Sequence, residues 1–257
     1  MPRCRRYTRR YKRGGLSFLY KLLSVLLICA CFVAAITLFF RVETVEVFGL
    51  ERYTKEEILE ASGIEQGDNL FLMNKYEVIR RIVDRYPYIE LENTRIQRKL
   101  PDTLLIYVKE CGRPLALRQD GSVWLVSPSG KIVEQRKTVG GYGVIDGVQA
   151  LSPSVGTQLA LDSTHDMQLE SLLSLLKALE ESGFLDTVEA VHLGNLSMVS
   201  FECMGRFTVE LPYGADYAYK LKTLRAILDS GKIQENMKGT FNMRGSDGKT
   251  NFIQSPS

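Results

Sequence analysis

The sequence predicts an α+β protein. A single apolar helix near the N-terminus is followed by a strand-helix-helix-strand-strand unit. A mixed α/β domain with a largely antiparallel sheet comes after it. Three observations carry this prediction. Residues 22–40 form a run of 19 residues without a charge. Residues 42–110 switch between strand-like and helix-like apolar spacing in short segments punctuated by Gly and Pro. Beyond residue 112, short β-branched runs separated by turn signals are interrupted by two helical patterns.

The apolar run comes first. At about 1.5 Å per residue it is roughly 28 Å long, matching the hydrocarbon core of a bilayer. Arg3, Arg5, Arg6, Arg9, Arg10, Lys12, Arg13 and Lys21 precede it, with no acidic residue among them. The positive-inside rule therefore keeps the N-terminus in the cytoplasm and sends the chain from Arg41 onward across the membrane. Eight of the 33 basic residues lie before the run, which leaves 25 against 30 acidic ones, a balance of about −5 for the body. The basic cluster is thus a topology signal and a headgroup contact, and no nucleic-acid partner is expected. A cleaved signal peptide is the rival reading, with Val33-Ala34-Ala35 as its cleavage site. The run, however, exceeds the roughly 7–15 residues of a signal h-region. A lipoprotein signal fits less well, because Ile28 is too large a residue just before Cys29.

Five cysteines add little. Cys4, Cys29 and Cys31 lie before or within the apolar run. Only Cys111 and Cys203 face the oxidising side. A bridge between them stays open on sequence alone. Two buried thiols are the preferred reading, because the body is large enough to fold on its apolar core.

Residues 42–48 mix β-branched and acidic positions and read as a strand ending at Gly49. Thr54 with Glu57 forms a capping box opening a helix that carries Ile58, Leu59 and Ala61. Gly67-Asp68-Asn69 makes a turn. A second helix presents Val78, Ile79, Ile82 and Val83 on one face and halts before Pro87. Two strand-like runs follow, residues 89–98 and 103–110. In the second half, Asp120-Gly121 and Ser129-Gly130 mark hairpin turns around residues 123–126 and 131–133. A helix over residues 167–182 carries Leu169, Leu172, Leu173, Leu176 and Leu179, with Gly183 at its end. Strands are expected at 188–193, 198–203 and 207–211. Another helix spans 218–230, and a last strand covers 239–244.

The order of these elements, with Val45-Glu46-Val47-Phe48-Gly49-Leu50, Gly67-Asp68-Asn69-Leu70-Phe71 and Arg98-Lys99-Leu100-Pro101-Asp102-Thr103-Leu104, resembles a POTRA domain. A POTRA directly after one N-in helix, followed by Gly143-Val144-Ile145-Asp146-Gly147-Val148 and the later helices and strands, resembles the FtsQ/DivIB family of bacterial cell-division proteins. The organisation this implies is a basic cytoplasmic tail (1–21), a transmembrane helix (22–40), a POTRA domain (41–111), a β domain (112–245) and a disordered tail (246–257). One departure stands out. The family's last strand tends to read apolar-Asp-Leu-Arg, whereas here it is Phe241-Asn242-Met243-Arg244.

No catalytic, cofactor or metal site is expected. Ser174-Leu175-Leu176-Lys177 and Ser246-Asp247-Gly248-Lys249 match the Ser-x-x-Lys pattern of penicillin-recognising enzymes, yet the companion Ser-Asp-Asn and Lys-Thr-Gly elements are missing. Gly248-Lys249-Thr250 lacks the upstream glycine of a phosphate-binding loop, since Met243 stands there. His165 and His192 are the only histidines and have no partner at ligand spacing. His165 is expected to cap a helix, and His192 to lie on a sheet face. Glu56-Glu57 and Glu180-Glu181 read as solvated helix positions rather than the paired carboxylates of a glycosidase. Trp124 reads as packing.

The expected function is therefore that of a non-catalytic bitopic scaffold at the division septum. By resemblance its partners are FtsL-like and FtsB/DivIC-like division proteins, and through them the septal peptidoglycan synthase. A terminal strand is a candidate edge for strand addition, so Thr240, Phe241, Asn242, Met243 and Arg244 are the expected partner-binding residues. The alternatives are a membrane-anchored cell-wall enzyme, disfavoured by the missing motifs, and a POTRA-type chaperone, disfavoured by the missing barrel.

Overall fold

The structure is a computed structural model that describes residues 14–234, 236–245 and 250–255. The seven basic residues from Arg3 to Arg13, and the second Ser-x-x-Lys match, lie outside the described residues. The first helix, α1 (Gly14–Phe39), takes in Lys21 and begins before the expected Leu22. Its apolar stretch, Phe18–Phe39, is long and apolar enough to cross a membrane and is unburied along its length.

The next unit is β1 (Thr44–Phe48), α2 (Lys55–Ser62), α3 (Lys75–Arg85), β2 (Arg95–Lys99) and β3 (Thr103–Tyr107). Its sheet has the order β1-β3-β2, with β1 parallel and β2 antiparallel to β3. The capping box at Thr54 and Glu57 is formed in full, satisfying amides that the first turn would otherwise leave unpaired. In α3 the apolar face works as its spacing predicts. Val78, Ile79, Ile82 and Val83 are all buried, closing with Ile58, Leu70, Leu104 and Ile106 into one core. Of the run 89–98 only the end is strand. Residues before Thr94 turn, with Ile89 held to Glu110 by an isolated bridge.

The second unit is built on a nine-stranded sheet. Its strands are β4 (Leu115–Gln119), β5 (Ser122–Val126), β6 (Ile132–Arg136), β7 (Val144–Asp146), β8 (Val188–His192), β9 (Met198–Cys203), β10 (Phe207–Pro212), β11 (Gly239–Asn242) and β12 (Asn251–Gln254). The order is β12-β11-β10-β9-β8-β7-β4-β5-β6. Pairing is antiparallel except at β10–β11, β7–β8 and β4–β7. The β4–β5 hairpin turns through Asp120 and Gly121, both at positive φ (51° and 72°), the two-residue geometry that an Asp-Gly pair adopts at low cost. Helices α4 (Asp166–Ser182) and α5 (Tyr217–Asp229) pack on each other and line the main core with the sheet. In α4 the buried stripe is rotated from the expected one, with Leu175 and Ala178 inside and Leu173 only half-buried. His165 does not cap α4 with its side chain; Asp162 caps the short 3-10 turn before it instead.

The two units share a seam. Tyr88 packs with Ala116, Val123, Leu125 and Val133, and Arg52 lies over the Tyr88 ring, 4.0 Å from its centroid. The Tyr88 hydroxyl donates to Glu134 at 2.6 Å, and Lys131 Nζ donates to the Val83 carbonyl at 3.0 Å. Desolvation at the seam pushes the Tyr53 phenol up to about 12. Cys111 and Cys203 are both free thiols, and burial raises each to about 12.

Candidate functional site

The expected edge strand is correctly located as a strand but is not at the edge. Gly239–Asn242 forms β11, in which Phe241 is fully buried and packs edge-on against Phe207, their centroids 5.1 Å apart. Met243 and Arg244 lie just past it. A further strand, β12, then runs antiparallel along it, with Asn251 opposite Asn242 and Ile253 opposite Thr240. The tail beyond residue 245 was expected to be disordered and is not so at 251–254. The physical reason is local. Gly239 has no side chain, and a Cβ there would meet the Ile253 carbonyl and the Phe252 ring. This close approach lets the Phe252 ring pack against that of Phe241, tilted at 42° with centroids 4.8 Å apart. Four residues with one aromatic anchor are enough to add a strand where a core aromatic awaits them.

The register decides which backbone groups are taken. The Ser255 amide donates to the Lys238 carbonyl at 2.9 Å, so residues 251, 253 and 255 face β11. On its other side β11 is held to β10: the Gly239 amide donates to Arg206 and the Met243 amide to Glu210, each at 3.0 Å. Thr240 and Asn242 therefore spend their backbone groups on β12. The backbone groups of Phe252 and Gln254 point outward, along an edge with no neighbouring strand among the described residues. Ile253 is 59% exposed there.

Charged groups brace this end. Arg244 Nη2 meets Glu210 at 2.7 Å, and the Asn242 side-chain oxygen accepts from the Arg244 amide at 3.2 Å. Asparagine suffices for that bond, since a carbonyl oxygen accepts as a carboxylate does. Lys220, buried on α5, donates its ammonium to the carbonyls of Met243 at 2.9 Å and Gly245 at 2.6 Å. Residues 243–245, just past β11, are thus held by the side chains of Lys220, Asn242, Arg244 and Glu210.

The other motifs do not assemble into chemistry. Ser174 and Lys177 are exposed on α4, facing a cleft of about 830 Å³ between the two units, and no hydrogen bond joins them. His192 lies on β8, its Nδ1 2.8 Å from Asp146 on β7 and its Nε2 3.4 Å from Glu202 on β9. This is a cross-strand face cluster. Among the described residues, no group of three or more His, Cys, Asp or Glu is placed to hold a metal ion. Trp124 is half-buried against the main core.

These features define a class: a membrane-anchored protein whose body is a small strand-helix-helix-strand-strand domain joined to a larger open-edged β domain. Residues 40–110 match the family model for the FtsQ-type POTRA domain. Over 203 residues the chain is 27% identical to the cell division protein DivIB of Clostridium botulinum strain Hall, covering 78% of this chain and 77% of that one. It is 27% identical over 162 residues to DivIB of Clostridium acetobutylicum, covering 62% and 64%. Over 220 residues it is 27% identical to the cell division protein FtsQ of Syntrophotalea carbinolica, covering 82% and 74%. The chain thus carries an FtsQ-type POTRA domain and is similar over most of its length to proteins named as the cell division proteins DivIB and FtsQ.

Proposed function

We propose that this protein is a non-catalytic, bitopic scaffold of the division machinery, anchored with its N-terminus in the cytoplasm, that captures a partner segment by strand addition along β12. This reading is supported by the similarity to proteins named as cell division proteins. The observation that favours strand addition is the outward-facing backbone of Phe252 and Gln254 beside an exposed Ile253. Unpaired N–H and C=O groups supply affinity to any extended chain, and the alternating side-chain positions supply selectivity. The partner is an FtsB/DivIC-type division protein with its FtsL-type companion, which carry the link to the septal peptidoglycan synthase.

The site expected from sequence, Thr240, Phe241, Asn242, Met243 and Arg244, then acts from behind. These residues hold β12 in place rather than touching the partner with their backbones. The test is Gln254→Pro in the full-length chain. It deletes one outward N–H, at a position where the ladder to β11 is not used and the side chain is exposed. Co-purification of an FtsB/DivIC-type partner is expected to fall severalfold, up to about tenfold, since a lost ladder bond is worth about 0.5–1.5 kcal/mol and each 1.4 kcal/mol is a decade. Membrane insertion is expected to be unchanged. Undiminished capture by a folded variant would move the partner to another edge.

A further inference from the structure

The end of the POTRA domain that meets α1 carries an unusual amount of exposed apolar surface. Phe71 is 43% exposed, Leu72 75% and Leu100 54%. Leu72 and Phe71 lie in the link between α2 and α3, and Leu100 at the tip of the β2–β3 hairpin. The hairpin tip belongs to the same end, because the amides of Glu43 and Thr44, just after α1, donate to the Asp102 carbonyl at 2.9 and 3.3 Å.

This surface is fastened to the helix rather than tethered near it. The Asn69 side-chain amide donates to the carbonyls of Ile36 and Thr37 at 3.2 and 3.3 Å, within the last turn of α1. The oxygen of the same side chain accepts from the amides of Phe71 and Leu72 at 2.8 and 3.1 Å. The Leu70 amide donates to the Phe40 carbonyl at 2.9 Å, and the Phe40 and Phe71 rings pack edge-on with centroids 5.0 Å apart. One asparagine therefore pins the Phe71–Leu72 loop beside the point where the apolar stretch Phe18–Phe39 ends. Ile36 lies three residues inside that end, about 4.5 Å along the axis at the rise of an α-helix.

Charge is arranged to match. The Arg98 guanidinium lies 5.5 Å from the Phe71 ring centroid and donates to the Met73 carbonyl at 3.2 Å. Lys99, at the end of β2 beside Leu100, is exposed, whereas Lys75 donates its ammonium to the Ile96 carbonyl at 3.0 Å. Of the nearby carboxylates, Asp68 is exposed and accepts from the Glu65 amide at 3.0 Å, while Asp102 is half-buried and accepts from the Thr103 hydroxyl at 2.8 Å. Glu43 stays exposed.

We propose that Phe71, Leu72 and Leu100 form a second membrane contact, seated in the interfacial layer of the leaflet from which α1 emerges, with Lys99 at headgroup level. The occupant is the bilayer because the apolar surface is continuous with a helix whose exposed end, Leu38 and Phe39, is 65% and 77% exposed. The consequence is a POTRA domain with a fixed tilt to the membrane, which sets the height and direction of everything beyond it. This inference rests on α1 spanning the bilayer.

The test uses the full-length chain in nanodiscs made with lipids brominated near the top of the acyl chains. Trp124 is the only tryptophan, so the unsubstituted chain gives the baseline. Leu72→Trp adds a probe at an exposed position, Phe32→Trp adds one inside α1, and Leu151→Trp adds one on the exposed surface of the β domain. The tryptophan added at 72 is expected to lose about half or more of its intensity and to emit to the blue of the one at 151. A depth of roughly 5–10 Å at the headgroup–acyl boundary requires as much. Quenching at 32 with none at 72 overturns the proposal while leaving the anchor intact. Absence of quenching at both overturns the membrane-spanning reading and the proposal with it.

Discussion

At one end of the nine-stranded sheet, β6 is closed in. The Ile132 amide and carbonyl are taken by Thr157 and Gly156 at 2.8 Å each, Val133 is 3% exposed, and Glu134 is claimed by Tyr88 of the POTRA domain. At the other end, β12 is held on one side by β11 and open on the other, with Ile253 59% exposed. The contrast teaches where a partner has room. Sheet edges invite pairing, and natural proteins seal those they do not use. Here one edge is covered at Ile132 by its own 156–157 loop, with Tyr88 of the POTRA domain on the Glu134 side chain, and the open edge is carried by a four-residue strand whose docking depends on residues just before it.

The largest expected effect comes from undoing that docking. Phe241→Ala removes a fully buried aromatic that Phe207 and Phe252 both pack against. It is expected to cost about 3–5 kcal/mol in chemical unfolding and to release β12, seen as fast amide exchange at Ile253 and Ser255. If stability falls but β12 stays protected, its attachment rests on the backbone alone.

The sealed end is expected to respond to acid. Glu134 is held below the usual carboxylate range, chiefly by the hydrogen bonds from Arg136 and further by Tyr88, against the opposing effect of burial. A depressed carboxylate contributes stability that is fully present above the ordinary carboxylate range. That contribution is lost as pH falls through the depressed folded value. The seam is therefore expected to loosen in acid, and Glu134→Gln to flatten that part of the stability–pH profile. A profile identical in both chains would remove Glu134 from the account of the seam.

The smallest effect is expected at Arg244→Ala. The Arg244–Glu210 pair is short at 2.7 Å, but the arginine side chain is 49% exposed. Its loss is expected to shift stability by less than about 1 kcal/mol. A larger loss would mean that the turn after β11 depends on the pair, and that the open end is braced by charge more than by packing.

Much of the molecule is legible in its sequence where local chemistry decides the outcome. The Thr54–Glu57 box, the α3 face at Val78 and Ile82, and the Asp120-Gly121 hairpin are each specified within a few residues. The open edge is not, because β12 is specified at a distance. Asn251-Phe252-Ile253-Gln254 is too short to announce a strand. It becomes one because Gly239 leaves room and Phe241 offers a ring. The signal in the sequence is the pairing of a glycine at the start of β11 with an apolar Phe252-Ile253 pair in a largely polar tail. The rotation of the α4 stripe toward Leu175 has the same origin. Both flanks of that helix are apolar, and the sheet and α5 choose between them.

The most direct test of the central claim is residue-resolved amide exchange of residues 251–255, in the full-length chain with and without an FtsB/DivIC-type partner. Ile253 and Ser255, which face β11, are expected to be protected already in the free chain. Phe252 and Gln254 are expected to exchange freely until the partner is added and then to become protected together. A partner that binds while leaving Phe252 and Gln254 unprotected would contradict strand addition at this edge.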